Sequence, residues 1–286
     1  MRLLPTAIAG VLFAVASPSA AAEVREVRDI AYGSDPLQTV DVYLPAGVEG
    51  RLPTVVYIHG GGWREGDKRE GVNRVGSFAP VLVEQGFVAV ACNYRLLPKD
   101  TYPAQVDDVQ RMIRWLRRHA EDYHIDPDRI GVVGISAGGH LAAMLATRTE
   151  HAAQGDELDA YSSRVQAAVS LAGVHDFSNK PEVTNALLEE ALLGIAQGDA
   201  SKVDDLREEL SPIRFVSKES APLMLVVGTN DTWIPIAQAE GMADALRAFS
   251  VETEIVRIEG AGHGIFPYAV PEAQEASLRW MTRFLK

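Results

Sequence analysis

The chain has 286 residues, 47% of them hydrophobic and 23% charged, with a formal net charge of −12. Those proportions are ordinary for a globular protein and exclude a disordered tail, a collagen-like fibre and a polytopic membrane protein. The acidic balance opposes nucleic-acid phosphate and anionic lipid, so neither is expected as a partner. One cysteine, Cys92, excludes an intrachain disulfide and a cysteine-based zinc site.

The N-terminus has the form of an export signal. Arg2 supplies a minimal positive charge, residues 3–16 are apolar, Ser17-Pro18-Ser19 breaks the run, and Ala20-Ala21-Ala22 offers small residues for cleavage. The apolar run is short for a membrane span, which needs about 20 residues. The expectation is a signal peptide over 1–22, a periplasmic or secreted location, no stable membrane insertion, and one domain over 23–286.

Beyond residue 22 the pattern alternates. Residues 24–30 and 38–44 read as early strands, the second alternating through Val40, Val42 and Leu44. Residues 54–58 form a continuous run rich in β-branched side chains and 87–92 a continuous apolar run, as strands covered on both faces require. Cys92 ends the second run and reads as a buried, inert thiol. Further strands are expected at 129–135, 165–171, 222–227 and 253–258. Residues 103–120 carry a helical stripe of Val106, Val109, Ile113 and Leu116, with Arg111, Arg114, Arg117 and Arg118 expected on a solvated face. Residues 137–147 are apolar all round, as a buried helix is, and helices are also expected over 235–249 and 271–285. Eight strands alternating with helices imply one mostly parallel sheet with helices on both faces, an α/β fold. Residues 173–221 are the least regular part and are expected to form an insert or lid.

Gly134-Ile135-Ser136-Ala137-Gly138 fits G-x-S-x-G, directly after one expected strand and directly before the buried helix. Such a turn lifts a serine hydroxyl to the carboxyl edge of the sheet, and the N–H of Ala137 at the helix start can face a developing oxyanion. His59-Gly60-Gly61-Gly62-Trp63 follows the strand at 54–58; consecutive glycines let backbone N–H groups turn inward. His59 itself reads as a loop-fixing residue. A serine nucleophile needs a base, and the base an orienting acid. Of seven histidines, His263 stands in a glycine-rich loop after the strand at 253–258. His119, His124 and His151 lie in polar stretches, His140 faces away on the helix, and His175 lies in the insert. Asp231, just past the strand at 222–227, is the expected acid, with Glu259 as its competitor.

These residues together resemble the α/β-hydrolase family, and most closely the esterase branch with a His-Gly-Gly-Gly-Trp loop. Feruloyl-esterase-like, acetyl-xylan-esterase-like and kynurenine-formamidase-like hydrolases look similar. The resemblance extends to Asn93-Tyr94-Arg95-Leu96, Tyr102-Pro103-Ala104 and Gly138-Gly139-His140-Leu141-Ala142. It implies a nucleophile Ser136, a base His263 and an acid Asp231, with Gly61, Gly62 and Ala137 as oxyanion donors and no metal or cofactor. The hormone-sensitive-lipase branch shares the glycine loop but carries a long helical cap. Here the early residues look β-like, so no large N-terminal cap is expected. The aspartate usual before Tyr-Arg-Leu is Asn93. Trp63, Phe177, Trp233 and Phe266 are candidates to line an acyl or aryl pocket. The activity implied is hydrolysis of short-acyl or aromatic-acyl carboxylic esters, small or attached to plant polysaccharide. An amide-cleaving relative (arylformamidase or peptidase) and a non-catalytic binding module are the alternatives.

Overall fold

The apolar runs become the interior strands of a single sheet. A computed structural model describes residues 23–70, 78–148, 157–178 and 200–286. In chain order the elements are β1 (Val24–Ala31), β2 (Thr39–Pro45), β3 (Leu52–Ile58), α1 (Phe78–Glu84), β4 (Val88–Cys92), α2 (Ala104–Arg118), β5 (Ile125–Ile135), α3 (Ala137–Thr147), β6 (Ala167–Leu171), α4 (Ala200–Leu210), β7 (Leu223–Gly228), α5 (Ala237–Ala248), β8 (Thr253–Ile258) and α6 (Pro271–Leu285). The expected signal peptide, 1–22, lies outside the described residues, as do His151 and residues 179–199 of the insert.

The eight strands lie in the order β1-β2-β4-β3-β5-β6-β7-β8. From β4 to β8 every neighbouring pair is parallel, and β2 pairs antiparallel with both β1 and β4. The chain leaves β3 for β4 on one side and leaves β5 for β6 on the other. That divergence opens a crevice between the carboxyl ends of β3 and β5, the place where open α/β sheets bind ligands. The register keeps these ends level: Ile58 pairs with Gly134, and Ile135 with Leu171.

The two-residue alternation of each strand divides the core. Val56, Ile58, Val90 and Val132 face a layer built by α2, α3 and α5, through side chains such as Val109, Ile113, Leu141 and Met242. Val55, Tyr57, Ala89 and Val133 face α1 and α6, through Phe78, Leu82, Trp280 and Met281. Because both faces are covered, no polar alternation survives in the middle strands. A full-size side chain such as Trp280, 1% exposed, contributes about 3–5 kcal/mol against truncation to alanine. Cys92 is buried, and burial pushes its thiol up to about 12, which leaves it inert.

One sequence expectation changes. Three of the four arginines of α2 leave the expected solvated face, while Arg118 keeps to it and pairs with Glu157 at 3.0 Å. Arg114 is buried, Arg111 donates to the Tyr32 carbonyl at 3.0 Å, and Arg117 donates to the carbonyls of Pro127, Ser162 and Arg164. A planar guanidinium with five donors can close several loops onto one helix, and here it does. The described part of the insert is tied to its neighbours by hydrogen bonds. The Phe177 N–H donates to the Ser211 hydroxyl at 2.7 Å, the Ile213 N–H to the His175 carbonyl at 3.1 Å, and Tyr102 to the Glu209 carbonyl at 3.2 Å. Helices α1 and α4 were not drawn from the sequence as separate elements; α1 has seven residues, too few for a readable period.

Candidate active site

Ser136 occupies the single residue between β5 and α3, with φ 54° and ψ −116°. This left-handed backbone is strained for a residue with a side chain. The neighbouring glycines make it fit. A Cβ at Gly134 would stand 2.1 Å from the Gly138 carbonyl oxygen, and one at Gly138 would stand 2.2 Å from that of Ile58. The strained serine is held by its own N–H on the Leu171 carbonyl at 2.8 Å and by the His140 N–H on its carbonyl at 3.0 Å.

Three side chains distant in sequence meet at this turn. His263 Nε2 lies 2.9 Å from Ser136 Oγ, and His263 Nδ1 lies 2.8 Å from Asp231 Oδ2. The other carboxylate oxygen, Oδ1, accepts the N–H groups of Trp233 at 2.8 Å and Ile234 at 2.9 Å. Burial raises the Asp231 carboxyl, but the bonds from His263, Ile234 and Trp233 outweigh it and hold the group below the usual range. An ionised carboxylate can only accept, so Nδ1 carries the proton, Nε2 is an acceptor, and the Ser136 hydroxyl donates to it. The loops after β7 and β8 are joined: Gly260 N–H donates to Thr229 Oγ1 at 2.8 Å and Asn230 N–H to the Ala261 carbonyl at 2.9 Å. Glu259, the other acid weighed, sits 3.4 Å from Thr229 Oγ1.

The glycine loop lies across the crevice from the serine. Gly60 packs on Ser136, where a Cβ would come within 3.3 Å of the serine Cβ. Gly61 and Gly62 have φ of 97° and 58°. Their N–H groups have no intramolecular acceptor among the described residues, and Ala137 N–H opens α3, where helical partners are absent. His59 is buried and stacks on Tyr94 at 4.4 Å, with Nδ1 2.8 Å from the Gly60 carbonyl. Burial lowers it to about 4, so it is a neutral prop for the loop. Tyr94 OH donates to the His59 carbonyl at 3.1 Å.

A second tether was missed from the sequence. Lys68, 3% exposed, donates to Asp29 at 2.9 Å and Thr39 at 3.0 Å, while its N–H donates to Asn93 Oδ1 at 2.5 Å. Asn93 Nδ2 in turn donates to Asp67 at 2.9 Å. The far end of the glycine loop is thereby fixed to β1, β2 and the end of β4. A lysine and an asparagine separated by 25 positions give no local pattern that could have signalled this.

The four aromatic candidates divide. Trp63 and Phe177 are 3% and 2% exposed and pack on each other at 6.2 Å and on His140 at 5.3 and 5.5 Å, so neither ring offers an open face. Phe266 is partly buried and stacks on Tyr268 at 5.0 Å. Trp233 is 65% exposed and stacks on His263. His175, placed in the insert, is buried beneath the elbow: Nε2 is 2.9 Å from Ser170 Oγ and its N–H donates to Gln238 at 2.9 Å. His140 Nε2 is 2.8 Å from the Leu210 carbonyl. Among the described residues no group of three or more His, Cys, Asp or Glu is arranged to hold a metal ion, and no helix is long and apolar enough to cross a membrane.

Comparison with known proteins decides the family: residues 40–246 match BD-FAE. The chain belongs to the BD-FAE family of α/β-hydrolases. Among members' relatives, a probable carboxylic ester hydrolase of Mycobacterium tuberculosis, LipM, is 32% identical over 203 residues, covering 70% of this chain and 46% of that protein. The chain spans about half the length of the curated relatives it matches. Among solved structures, a thermophilic esterase of Thermogutta terrifontis, Est2, superimposes with a TM-score of 0.72 at 26% identity, covering 93% of this chain and 91% of that one. An acetyl ester-xyloside bifunctional hydrolase from Caldicellulosiruptor lactoaceticus gives 0.70 at 26% identity, covering 86% and 85%.

Proposed function

We propose that this BD-FAE protein is a serine hydrolase of carboxylic esters. The observation that carries the proposal is the unbroken chain of contacts from Asp231 through His263 to Ser136, beside N–H groups of the glycine loop that meet no acceptor among the described residues. Ser136 Oγ attacks the ester carbonyl while His263 Nε2 takes its proton. Asp231 keeps the Nδ1–H tautomer and faces the imidazolium that forms. The tetrahedral oxygen is received by the N–H groups of Gly61, Gly62 and Ala137; loss of one such donor costs about 3 kcal/mol in a comparable hydrolase. His263 then protonates the leaving alcohol, and water repeats the sequence on the acyl-enzyme.

For substrate we propose short-acyl or aromatic-acyl esters, including those carried on plant polysaccharide. The xyloside-active structural relative supports the carbohydrate side of this assignment. Export through residues 1–22 suits such a polymer, which cannot enter a cell. The test is a panel on the mature protein of acetyl, butyryl and feruloyl esters with matched amides. Ester kcat/KM well above that of the amides is expected; the reverse order would move the protein to the amide-cleaving relatives, and no turnover of either would make it a binding module.

A further inference from the structure

The indole of Trp233 has a place that the triad does not explain. Its ring centroid lies 5.1 Å from that of His263, with the two planes 23° apart. The imidazole nitrogens are both engaged in their own plane, with Asp231 and Ser136, so the indole covers a ring face. The turn is fixed: the backbone N–H of Trp233 is bonded to Asp231 Oδ1, so the turn that orients the acid also carries the indole. Yet 65% of the residue faces solvent, an unusual cost for the largest apolar side chain, while the other three tryptophans, Trp63, Trp115 and Trp280, are buried.

Location gives this exposure a meaning. His263 Nε2 must hand its proton to the leaving alcohol, so that oxygen has to come within hydrogen-bond reach of the ring. Whatever is attached to it then extends along the imidazole and meets the indole. The carbonyl oxygen, on the proposed mechanism, turns instead toward the N–H groups of the glycine loop. The two loops that hold the indole also carry Asn230, Thr232 and Glu259, all exposed. A flat apolar surface on loops that also carry exposed polar residues, and open to water, suits a ligand that is apolar on its face and hydroxylated at its edge. A pyranose has that form: its C–H face is weakly positive and the indole face is negative.

We propose that Trp233 is the stacking platform for a pyranosyl leaving group, so that selectivity in this enzyme lies on the alcohol rather than the acyl side. The inference rests on the ester-hydrolase assignment above and narrows its substrate class.

Two acetyl esters with different alcohols test it: an acetylated methyl xylopyranoside and ethyl acetate. Trp233→Ala should lower the ratio of kcat/KM, xyloside over ethyl ester, by about tenfold, and Trp233→Phe should restore most of it. Because the ratio is read, any loss from uncovering His263 cancels. A direct measurement needs no substitution. Trp233 is the one exposed tryptophan of four, so acrylamide quenching of intrinsic fluorescence reports on it, and methyl β-xylopyranoside should protect it. An equal fall on both esters, or quenching unaltered by the xyloside, would overturn the platform while leaving the esterase assignment standing. Wild-type protein that cleaves neither ester, with the xyloside still protecting the indole, would overturn the esterase assignment and keep the binding surface.

Discussion

Gly138 and Ile58 stand so close that a methyl group at position 138 would reach to 2.2 Å of the Ile58 carbonyl oxygen, and to 2.5 Å of that of His59. Both obstructions are backbone, so neither can swing aside. Gly138→Ala should therefore push α3 from β3, with a loss of about 3 kcal/mol in denaturant unfolding and a fall in turnover as the glycine loop leaves the serine. Gly47→Ala is the comparison. That residue has φ 69° but nothing within 4 Å of its Cβ, so only backbone strain of about 1 kcal/mol is expected.

Ser136→Ala should reduce ester turnover by about 10⁴-fold or more with the circular dichroism spectrum unchanged. A variant that kept most of its activity would remove Ser136 as nucleophile.

Asp231→Asn should cost a similar factor for a different reason. The two N–H groups of Trp233 and Ile234 select the amide oxygen for the Oδ1 position. That leaves the NH2 group facing His263, which must then present a bare Nδ1 and carry its proton on Nε2. The base facing Ser136 is lost without any change in shape. Unchanged pH–rate behaviour in this variant would transfer the role to another acid.

His59, His140 and His175 are each lowered by burial to about 4, against 6.5 when exposed. Between those values the unfolded chain binds protons that the folded chain refuses, so stability rises with pH and is lost on acidification from about 6.5 toward 4. With three such groups the slope approaches about 4 kcal/mol per pH unit. Urea unfolding at pH 7.5, 6.0 and 5.0 measures it. His140→Gln keeps a donor for the Leu210 carbonyl and cannot ionise, so its slope should shrink by about a third. A flat profile for the parent protein would show that these imidazoles are not buried neutral.

Asn93→Asp puts the residue usual in similar hydrolases at this position, yet it should weaken this protein. Burial raises the Asp67 carboxyl, and the Asn93 amide is the leading influence that lowers it. A carboxylate at 93 would face Asp67 instead of donating to it. The expected loss is about 1–3 kcal/mol at pH 7, shrinking relative to the parent as the pH falls and one of the pair takes a proton.

The sheet and its order of chemistry were legible because their signals are local. The runs at 54–58 and 87–92 could only be strands with both faces covered, and Ser136, Gly61 and His263 each sit in a glycine-rich turn directly after a strand. The choice of Asp231 over Glu259 rests on position along the chain, whereas the meeting of the two loops comes from the pairing of β7 with β8, which no local pattern records. Burial was less legible. Trp63, directly after the glycines, faces His140 and Phe177 rather than open space, and Arg111 and Arg117 of α2 close loops instead of meeting water. In each case the partner comes from a distant segment, and no periodicity within one helix or loop records it. The Lys68–Asn93 tether escaped for the same reason.

Ser136, Asp231 and His263 hang from the ends of β5, β7 and β8, and the glycines from the end of β3. On the proposed mechanism, no fragment of the chain owns the chemistry. The last strand must dock before the imidazole has anywhere to stand, and α6 must cover that strand's neighbours before it stays. Turnover is thus a gauge of completed assembly: copies cut short ahead of residue 263 would be silent even if most of the sheet had formed, and during refolding catalysis should return in the last kinetic phase.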